Sequence, residues 1–307
     1  MSYKSRISNY FKRIQTNPWC IFWKLNYTKI QRVLPDEVFL KIMFRARMGT
    51  HLDLNNPKTF NEKLQWLKLN DRNPQYTQMV DKYEAKTIIE AIAGSQYIIP
   101  TYGVWNSFSE IDFNALPNEF VLKTTHDAGR IIICKDKKEL NLKDAKKKLD
   151  EGLKTNFFWQ GREWPYKNVR PRIIAEKLLK NDDGSELMDY KVMCFNGKAY
   201  CCFVCTGRGS REGLRVTFFD RDWNRLPFVR HYPCDKNEIK KPINYQKMIS
   251  LAEEISKDMA FLRVDFYEVN NDIYIGELTF FPGNGFEEFS PPEWDYKLGE
   301  MLKLGIK

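Results

Sequence analysis

The stretch Arg263-Val-Asp265-Phe266, followed after a turn by Gly276-Glu277-Leu-Thr279-Phe-Phe-Pro282-Gly283, decides how this chain is read. The runs Phe261 to Val269 and Ile273 to Phe280 have the composition of strands, and Asn270-Asn271-Asp272 joins them as a turn. Side chains alternate across a strand, so Arg263 shares a face with Asp265, and Glu277 shares one with Thr279. If the strands pair as a hairpin, the two faces can coincide. Two carboxylates, a hydroxyl and an arginine on one concave face make a hard-oxygen site suited to Mg2+ with phosphate. The same spacing also describes a surface sheet face with an ordinary ion pair.

Two further constellations lie upstream. Lys123 closes the run Phe120-Val-Leu-Lys123 and precedes the small-residue turn Thr124-Thr125-His126-Asp127-Ala128-Gly129. A second apolar run, Arg130 to Cys134, follows. A lysine so placed can hold a phosphate that the N–H groups of the turn cap, and a plain hairpin reads the same way. Glu176-Lys177-Leu178-Leu179 ends the run from Arg172 and enters the turn Asn181-Asp-Asp-Gly184. Such an edge offers a backbone donor and acceptor and says little alone.

Working outward, Thr59-x-x-Glu62 ahead of Leu64, Trp66 and Leu67 predicts a capping-box helix. A helix is predicted over Asp81 to Ala93, stopped by Gly94, then a strand over Tyr97 to Val104. Lys143 to Leu153 reads as a charged helix. Asn196-Gly197 joins Tyr190–Phe195 to Lys198–Cys205 as a hairpin. Met248, Leu251, Ala252, Ile255 and Met259 form a helical stripe over Gln246 to Met259. The order is helices, then an α+β insert, then antiparallel hairpins with a helix, so the class is α+β. With 307 residues there is room for one large domain or two to three small ones.

Net charge is +9, and residues 1–50 hold ten basic side chains against two acidic ones. The body is therefore near neutral and carries a basic, aromatic-rich arm. No nucleic-acid recognition motif accompanies this charge, so nucleic acid is not the expected partner. Interleaved Phe11, Trp19, Phe22 and Trp23 suit an anionic membrane surface or an acidic protein partner; a solvated helical face is the plainer reading. No apolar run is long enough for a membrane span or a secretory leader, so a cytoplasmic protein is expected, with the arm able to place it at the inner membrane face. The seven cysteines are odd in number and cluster in a strand-like segment. They are expected to be reduced, and Cys202-x-x-Cys205 to be buried strand packing. P-loop, dinucleotide-glycine, zincin and hydrolase-elbow motifs are all absent from the sequence.

Taken in order, the three constellations resemble the ATP-grasp superfamily of carboxylate–amine ligases. The last motif there ends Glu-x-Asn-x-x-Pro-Gly, and this chain has Thr279 in place of Asn. Phe60-Asn-Glu-Lys-Leu-Gln-Trp66, Asp81-Lys-Tyr83, Asp189-Tyr-Lys191 and Cys194-Phe-Asn-Gly197 narrow the resemblance to the teichuronopeptide-biosynthesis (TupA-like) branch, over roughly residues 57–300.

That resemblance implies an ATP-grasp fold, two α+β lobes gripping ATP, with a helical basic N-terminal extension. It divides the chain into an arm (1–56), an N-terminal subdomain (57–112), a lid (113–180) and a C-terminal subdomain with the metal site (181–307). It implies ATP and Mg2+ as cofactors. Lys123 would hold phosphates, and Thr125, His126 and Gly129 would lie in the loop over them. Glu176, Lys177 and Leu178 would meet adenine, and Asp189 and Lys191 ribose or phosphate. Asp265, Glu277 and Thr279 would form the metal shell, with Arg263 stabilising developing charge. The branch points to a uronic acid of a cell-surface polysaccharide as carboxylate and an amino acid or small amine as nucleophile. Two other readings compete: a glycosyltransferase using Asp220-Arg-Asp222, which reads better as a turn, and a tryptophan-rich polysaccharide-binding module.

Overall fold

The computed structural model describes residues 17–19, 22, 29–207, 210 and 213–305. Most of the basic stretch 1–28, with Phe11, Cys20 and Trp23, lies outside them.

Helix α1 (Asp36–Met48) carries acids in its first turn and arginines in its last, matching the helix dipole. Its stripe Phe39, Leu40, Met43 and Phe44 is buried with Leu52 and Phe286. Part of the stretch expected as the arm (1–56) is thus packed against the body, because an apolar stripe at helical spacing must find a core. Helix α2 (Phe60–Asn70) starts with the expected box: Glu62 N–H donates to Thr59 Oγ1 at 3.2 Å, and Thr59 N–H to Glu62 Oε2 at 3.0 Å. Helices α3 (Gln75–Val80) and α4 (Glu84–Ala93) follow. The helix expected from Asp81 begins three residues later, because Asp81 Oδ1 accepts the Tyr83 N–H at 2.8 Å and holds a turn.

Strands β1 (Thr101–Trp105), β2 (Phe120–Thr124) and β3 (Ile131–Cys134) precede helices α5 (Leu142–Leu153) and α6 (Phe158–Gly161) and strand β4 (Ile173–Glu176). The four strands form an antiparallel sheet of order β1-β4-β2-β3. Phe120, Leu122, Ile173 and Ala175 pack under Ala145 and Leu149 of α5, giving this sheet its own core.

Strands β5 (Asp189–Phe195), β6 (Lys198–Thr206) and β7 (Arg215–Asp220) lead through β8 (Val229–Arg230) to helix α7 (Tyr245–Ile255). Then come β9 (Phe261–Val269), β10 (Asp272–Thr279), β11 (Phe289–Ser290) and helix α8 (Glu293–Met301). A five-stranded antiparallel sheet runs β10-β9-β5-β6-β7. Asn196 and Gly197 both take positive φ, 48° and 74°, as the tight β5–β6 turn requires. The largest core lies between this sheet and helices α2 to α4 and α7. Cys202 and Cys205 are buried in β6, and their odd spacing puts them on opposite faces. Among the described residues no helix is long and apolar enough to cross a membrane.

Candidate active site

The two sheets enclose a cleft of about 230 Å3, lined from one side by Lys123, Thr124 and Asp127 to Ile131, and from the other by Asp189, Lys191, Asp265, Tyr267, Gly276 and Glu277. Lys82 enters from the turn between α3 and α4.

On the five-stranded sheet, Lys191, Asp265 and Glu277 form one row across β5, β9 and β10. The register depends on a bulge. Ile275 pairs with Phe266, yet Glu277 pairs with Asp265, so Gly276 is the extra residue. Without it, Glu277 would face Val264 and point into the core. A Cβ at Gly276 would stand 2.7 Å from the Tyr267 ring, so this position takes no side chain without that ring moving.

Arg263 holds Asp265 in a fork, Nε to Oδ1 at 2.6 Å and Nη2 to Oδ2 at 2.7 Å. Its Nη2 also donates to Thr279 Oγ1 at 3.0 Å and lies 3.8 Å from Glu277 Oε2. Lys191 pairs with Asp265 and, at 2.9 Å, with Asp189. Burial pushes against the Lys191 charge, but Asp265 and Asp189 outweigh it and its pKa rises. Glu277 would be raised by burial; instead Lys82, Arg263 and Lys191 hold it down to about 2. Lys82 Nζ lies 3.3 Å from Glu277 Oε1 and donates to the Asp127 carbonyl at 2.6 Å, tying the turn after β2 to β10.

On the four-stranded sheet, Lys123 Nζ meets Glu176 Oε2 at 2.5 Å, and Lys86 meets Oε1 at 2.8 Å. Burial would raise the Glu176 pKa, but the two lysines lower it on balance. The Glu176 side chain thus pairs with both lysines. Lys177 N–H is also taken, donating to Pro100 O at 2.9 Å. Lys177 and Leu178 line a separate hollow with Tyr274 and Asn270.

Of the loop residues, Gly129 lines the cleft; Thr125 and His126 do not. Thr125 is spent on backbone bonds to Arg172 and Lys82. His126 is 2% exposed, and its Nε2 lies against the carbonyls of Gly152 (3.1 Å) and Thr155 (3.0 Å). His126 is thus packed on the end of α5. Burial lowers the His126 pKa rather than raising it.

Lys82, Lys86 and the pair Asp81–Arg172 (2.7 Å) were not assigned roles from sequence. The Asp81-Lys82-Tyr83 motif was the available signal. Also missed was Lys68, wholly buried and donating at 2.8 Å to Gln65 Oε1, Gly161 O and Asn284 O. It anchors α2 to the loop after β10.

Among the described residues no three His, Cys, Asp or Glu side chains converge on a metal position. Mg2+ does not need such a cage, since it keeps waters and takes one or two carboxylates when a polyphosphate supplies the rest. Asp265 and Glu277, adjacent across a ladder and both lining the cleft, fit that donor set. Thr279 is Arg263's hydrogen-bond partner here. The Asp220-x-Asp222 pair is a turn: Asp220 Oδ1 accepts the N–H groups of Asp222 (2.9 Å) and Asn224 (2.8 Å).

Two antiparallel sheets closing on a lysine-flanked, carboxylate-floored cleft define an α+β protein of the ATP-grasp class. The chain belongs to the TupA-like ATP-grasp family, whose profile matches residues 62–303. No curated protein sequence matches it. Among solved structures it is similar to the D-alanine–D-alanine ligase of Bacillus anthracis complexed with ATP, at 15% identity and TM-score 0.42 over 73% of this chain and 64% of that one. It is also similar to the D-alanine–D-alanine ligase of Helicobacter pylori, at 14% and 0.42 over 73% and 57%. The L-amino acid ligase of Bacillus licheniformis gives 11% and 0.41 over 86% and 55%. The chain thus spans less than two thirds of the length of each of these ligases.

Proposed function

We propose that this protein is an ATP-dependent carboxylate–amine ligase. The observation that carries the reading is the row Lys191–Asp265–Glu277, set in one cleft with Lys123. Without ligand, these lysines and carboxylates neutralise one another. A Mg2+-bound triphosphate offers both what they need: phosphates for Lys123 and Lys191, and a cation for Asp265 and Glu277. When bound, Mg2+ would neutralise charge on the phosphates.

In the reaction, a carboxylate oxygen of the acceptor attacks the γ-phosphorus, the bond to ADP breaks, and an acyl phosphate forms. The amine nitrogen then attacks the acyl carbon; it loses a proton, phosphate departs with the bonding electrons, and an amide remains. In this reading Arg263 would stabilise charge during transfer, and Lys123 and Lys191 would hold the phosphates in line. For the acceptor we favour a uronic acid of a cell-surface polysaccharide or its precursor, joined to an amino acid or other small amine, at the cytoplasmic face of the membrane. The basic stretch 1–28 suits an anionic surface there.

The test is turnover by the full chain. ADP formed only when a carboxylate and an amine are both supplied supports the ligase. UDP released from a sugar nucleotide would instead support a glycosyltransferase, and saccharide binding without turnover a binding module.

A further inference from the structure

Helix α2 buries a polar stripe. Asn61, Gln65 and Lys68 stand at i, i+4 and i+7, so they share one face, and each is 0% exposed. An apolar stripe is the ordinary way to pack such a face. A buried charge is weak evidence for stability, because an apolar side chain of similar volume often serves a fold as well. Burial pulls the Lys68 pKa down to about 7, against the pull of Glu163. The stripe therefore needs a reason other than packing.

Its partners lie in the loop after β10. Gln65 Nε2 donates to the carbonyls of Asn284 (3.1 Å) and Gly285 (2.7 Å). Lys68 Nζ donates to the Asn284 carbonyl at 2.8 Å, and Asn61 Nδ2 to the Glu287 carbonyl at 3.0 Å. Arg230 Nη2 donates to the Pro282 carbonyl at 2.6 Å. The carbonyls of Pro282, Asn284, Gly285 and Glu287 thus all meet side-chain donors. The loop requires such holding, because Gly283, Asn284 and Gly285 take φ of 60°, 56° and 62° in succession. A left-handed conformation is costly for a residue with a side chain, such as Asn284. A Cβ at Gly285 would stand 2.4 Å from Gln65 Nε2, so the glycine leaves room for the amide.

This loop follows directly on β10, whose last residue, Thr279, accepts from Arg263. Gly283 and Asn284 line a cavity of about 530 Å3 that shares Arg130 with the nucleotide cleft, so cavity and cleft adjoin. Gln65 and Lys68 line neither.

We infer that Gln65 and Lys68 are positioning residues of the ligase reaction, which act by holding residues 282–286 in the left-handed turn that walls the cavity beside the cleft. The inference rests on the ligase reading above. It gives the buried polar residues that follow Phe60 a part in the reaction. Because neither side chain reaches the cleft, their loss acts on turnover and leaves nucleotide binding intact.

The test uses the full chain and three variants. Lys68→Met and Gln65→Met each remove donors to the loop at similar side-chain volume, and either serves if the other fails to fold. Lys63→Met is the control. Lys63 lies on the same helix but donates to the carbonyls of Gly299 (2.7 Å) and Leu302 (2.8 Å), away from the loop. Amide hydrogen exchange at residues 283–286 should be about tenfold faster or more in Lys68→Met and Gln65→Met, and within about twofold of wild type in Lys63→Met. ADP formation is then followed with Mg·ATP, glucuronic acid and glycine. In Lys68→Met and Gln65→Met kcat should fall about tenfold or more with the KM for ATP within about twofold, and Lys63→Met should keep both. Loop exchange or kcat like that of wild type in Lys68→Met and Gln65→Met would overturn the inference. So would an equal loss of kcat in Lys63→Met, which would reduce the stripe to general packing. Wild type that binds Mg·ADP but forms no ADP from these substrates would count against the ligase reading instead, and loop exchange would still decide whether the two side chains hold the turn.

Discussion

Glu277 stands directly opposite Asp265 across the β9–β10 ladder, and it does so only because Gly276 is bulged out of register. The bulge converts a residue that would face the core into one that faces the cleft. The resulting acid pair is surrounded by Lys82, Lys191 and Arg263, which hold the Glu277 carboxyl well below its ordinary range.

That arrangement gives stability a defined acid limb. Glu277 is depressed to about 2, well below its ordinary 4.5. Its stabilising contribution is thus present above about pH 4.5 and lost as pH falls towards 2. Glu277→Gln should be less stable than wild type at pH 7, and the gap should narrow on acidification through this window. Denaturant midpoints measured across pH check it; a gap independent of pH would mean the ion pairs are not felt.

Lys123→Met should weaken Mg·ADP binding about tenfold or more. A charge-assisted hydrogen bond contributes about 1.5–3 kcal/mol, and tenfold in affinity is about 1.4 kcal/mol. Because Lys123 is pinned by Glu176, Glu176→Gln should weaken binding too, but less. Titration calorimetry on both variants measures this, and an unchanged Lys123→Met affinity would remove the residue from the site.

Thr279→Val should lower turnover while leaving the Mg2+ requirement unchanged, since the hydroxyl accepts from Arg263 at 3.0 Å. Thr279→Ser should restore it. An ADP-formation assay titrated with Mg2+ distinguishes this from a hydroxyl within the metal shell, which would shift the Mg2+ curve several-fold.

Burial lowers the His126 pKa below 6.5. A depressed histidine means the unfolded chain binds the extra proton, so stability falls as pH drops below about 6.5. His126→Gln keeps donors for the Gly152 and Thr155 carbonyls but cannot titrate. It should flatten the fall in stability below pH 6.5 and leave the pH dependence of nucleotide affinity untouched. A changed affinity profile would return His126 to the phosphates.

Phe39→Ala should destabilise the folded chain by about 3–5 kcal/mol, the usual cost of emptying a phenylalanine site, because Phe39 is fully buried against the body. Thermal or denaturant unfolding measures it. A near-neutral effect would mean that α1 detaches freely.

Much of the hairpin chemistry was legible in the sequence because it follows from period-two alternation. Arg263 with Asp265, Glu277 with Thr279, and the Asn196-Gly197 turn needed no tertiary information. The partners of Glu176 and His126 in space, Lys86 for one and the end of α5 for the other, are set by packing that no local pattern records. The packing of α1 was hidden by the charge of residues 1–50, whose ten basic side chains read as an exposed arm although only three of them lie on α1. Its Phe39–Leu40–Met43–Phe44 stripe already had the spacing of a buried face. Lys82, on a turn, lines the cleft, and Lys86, on α4, reaches Glu176; both placements are set by tertiary packing.

The central claim is that the acid row on β9 and β10 holds a Mg2+–nucleotide complex. Equilibrium binding of ADP to the full chain, with and without Mg2+, tests it in wild type and in Glu277→Gln. Wild type should bind ADP in a Mg2+-dependent manner, and Glu277→Gln should bind at least tenfold more weakly with that dependence largely lost. No ADP binding at any Mg2+ concentration, or the same affinity and the same Mg2+ dependence in Glu277→Gln, would contradict it.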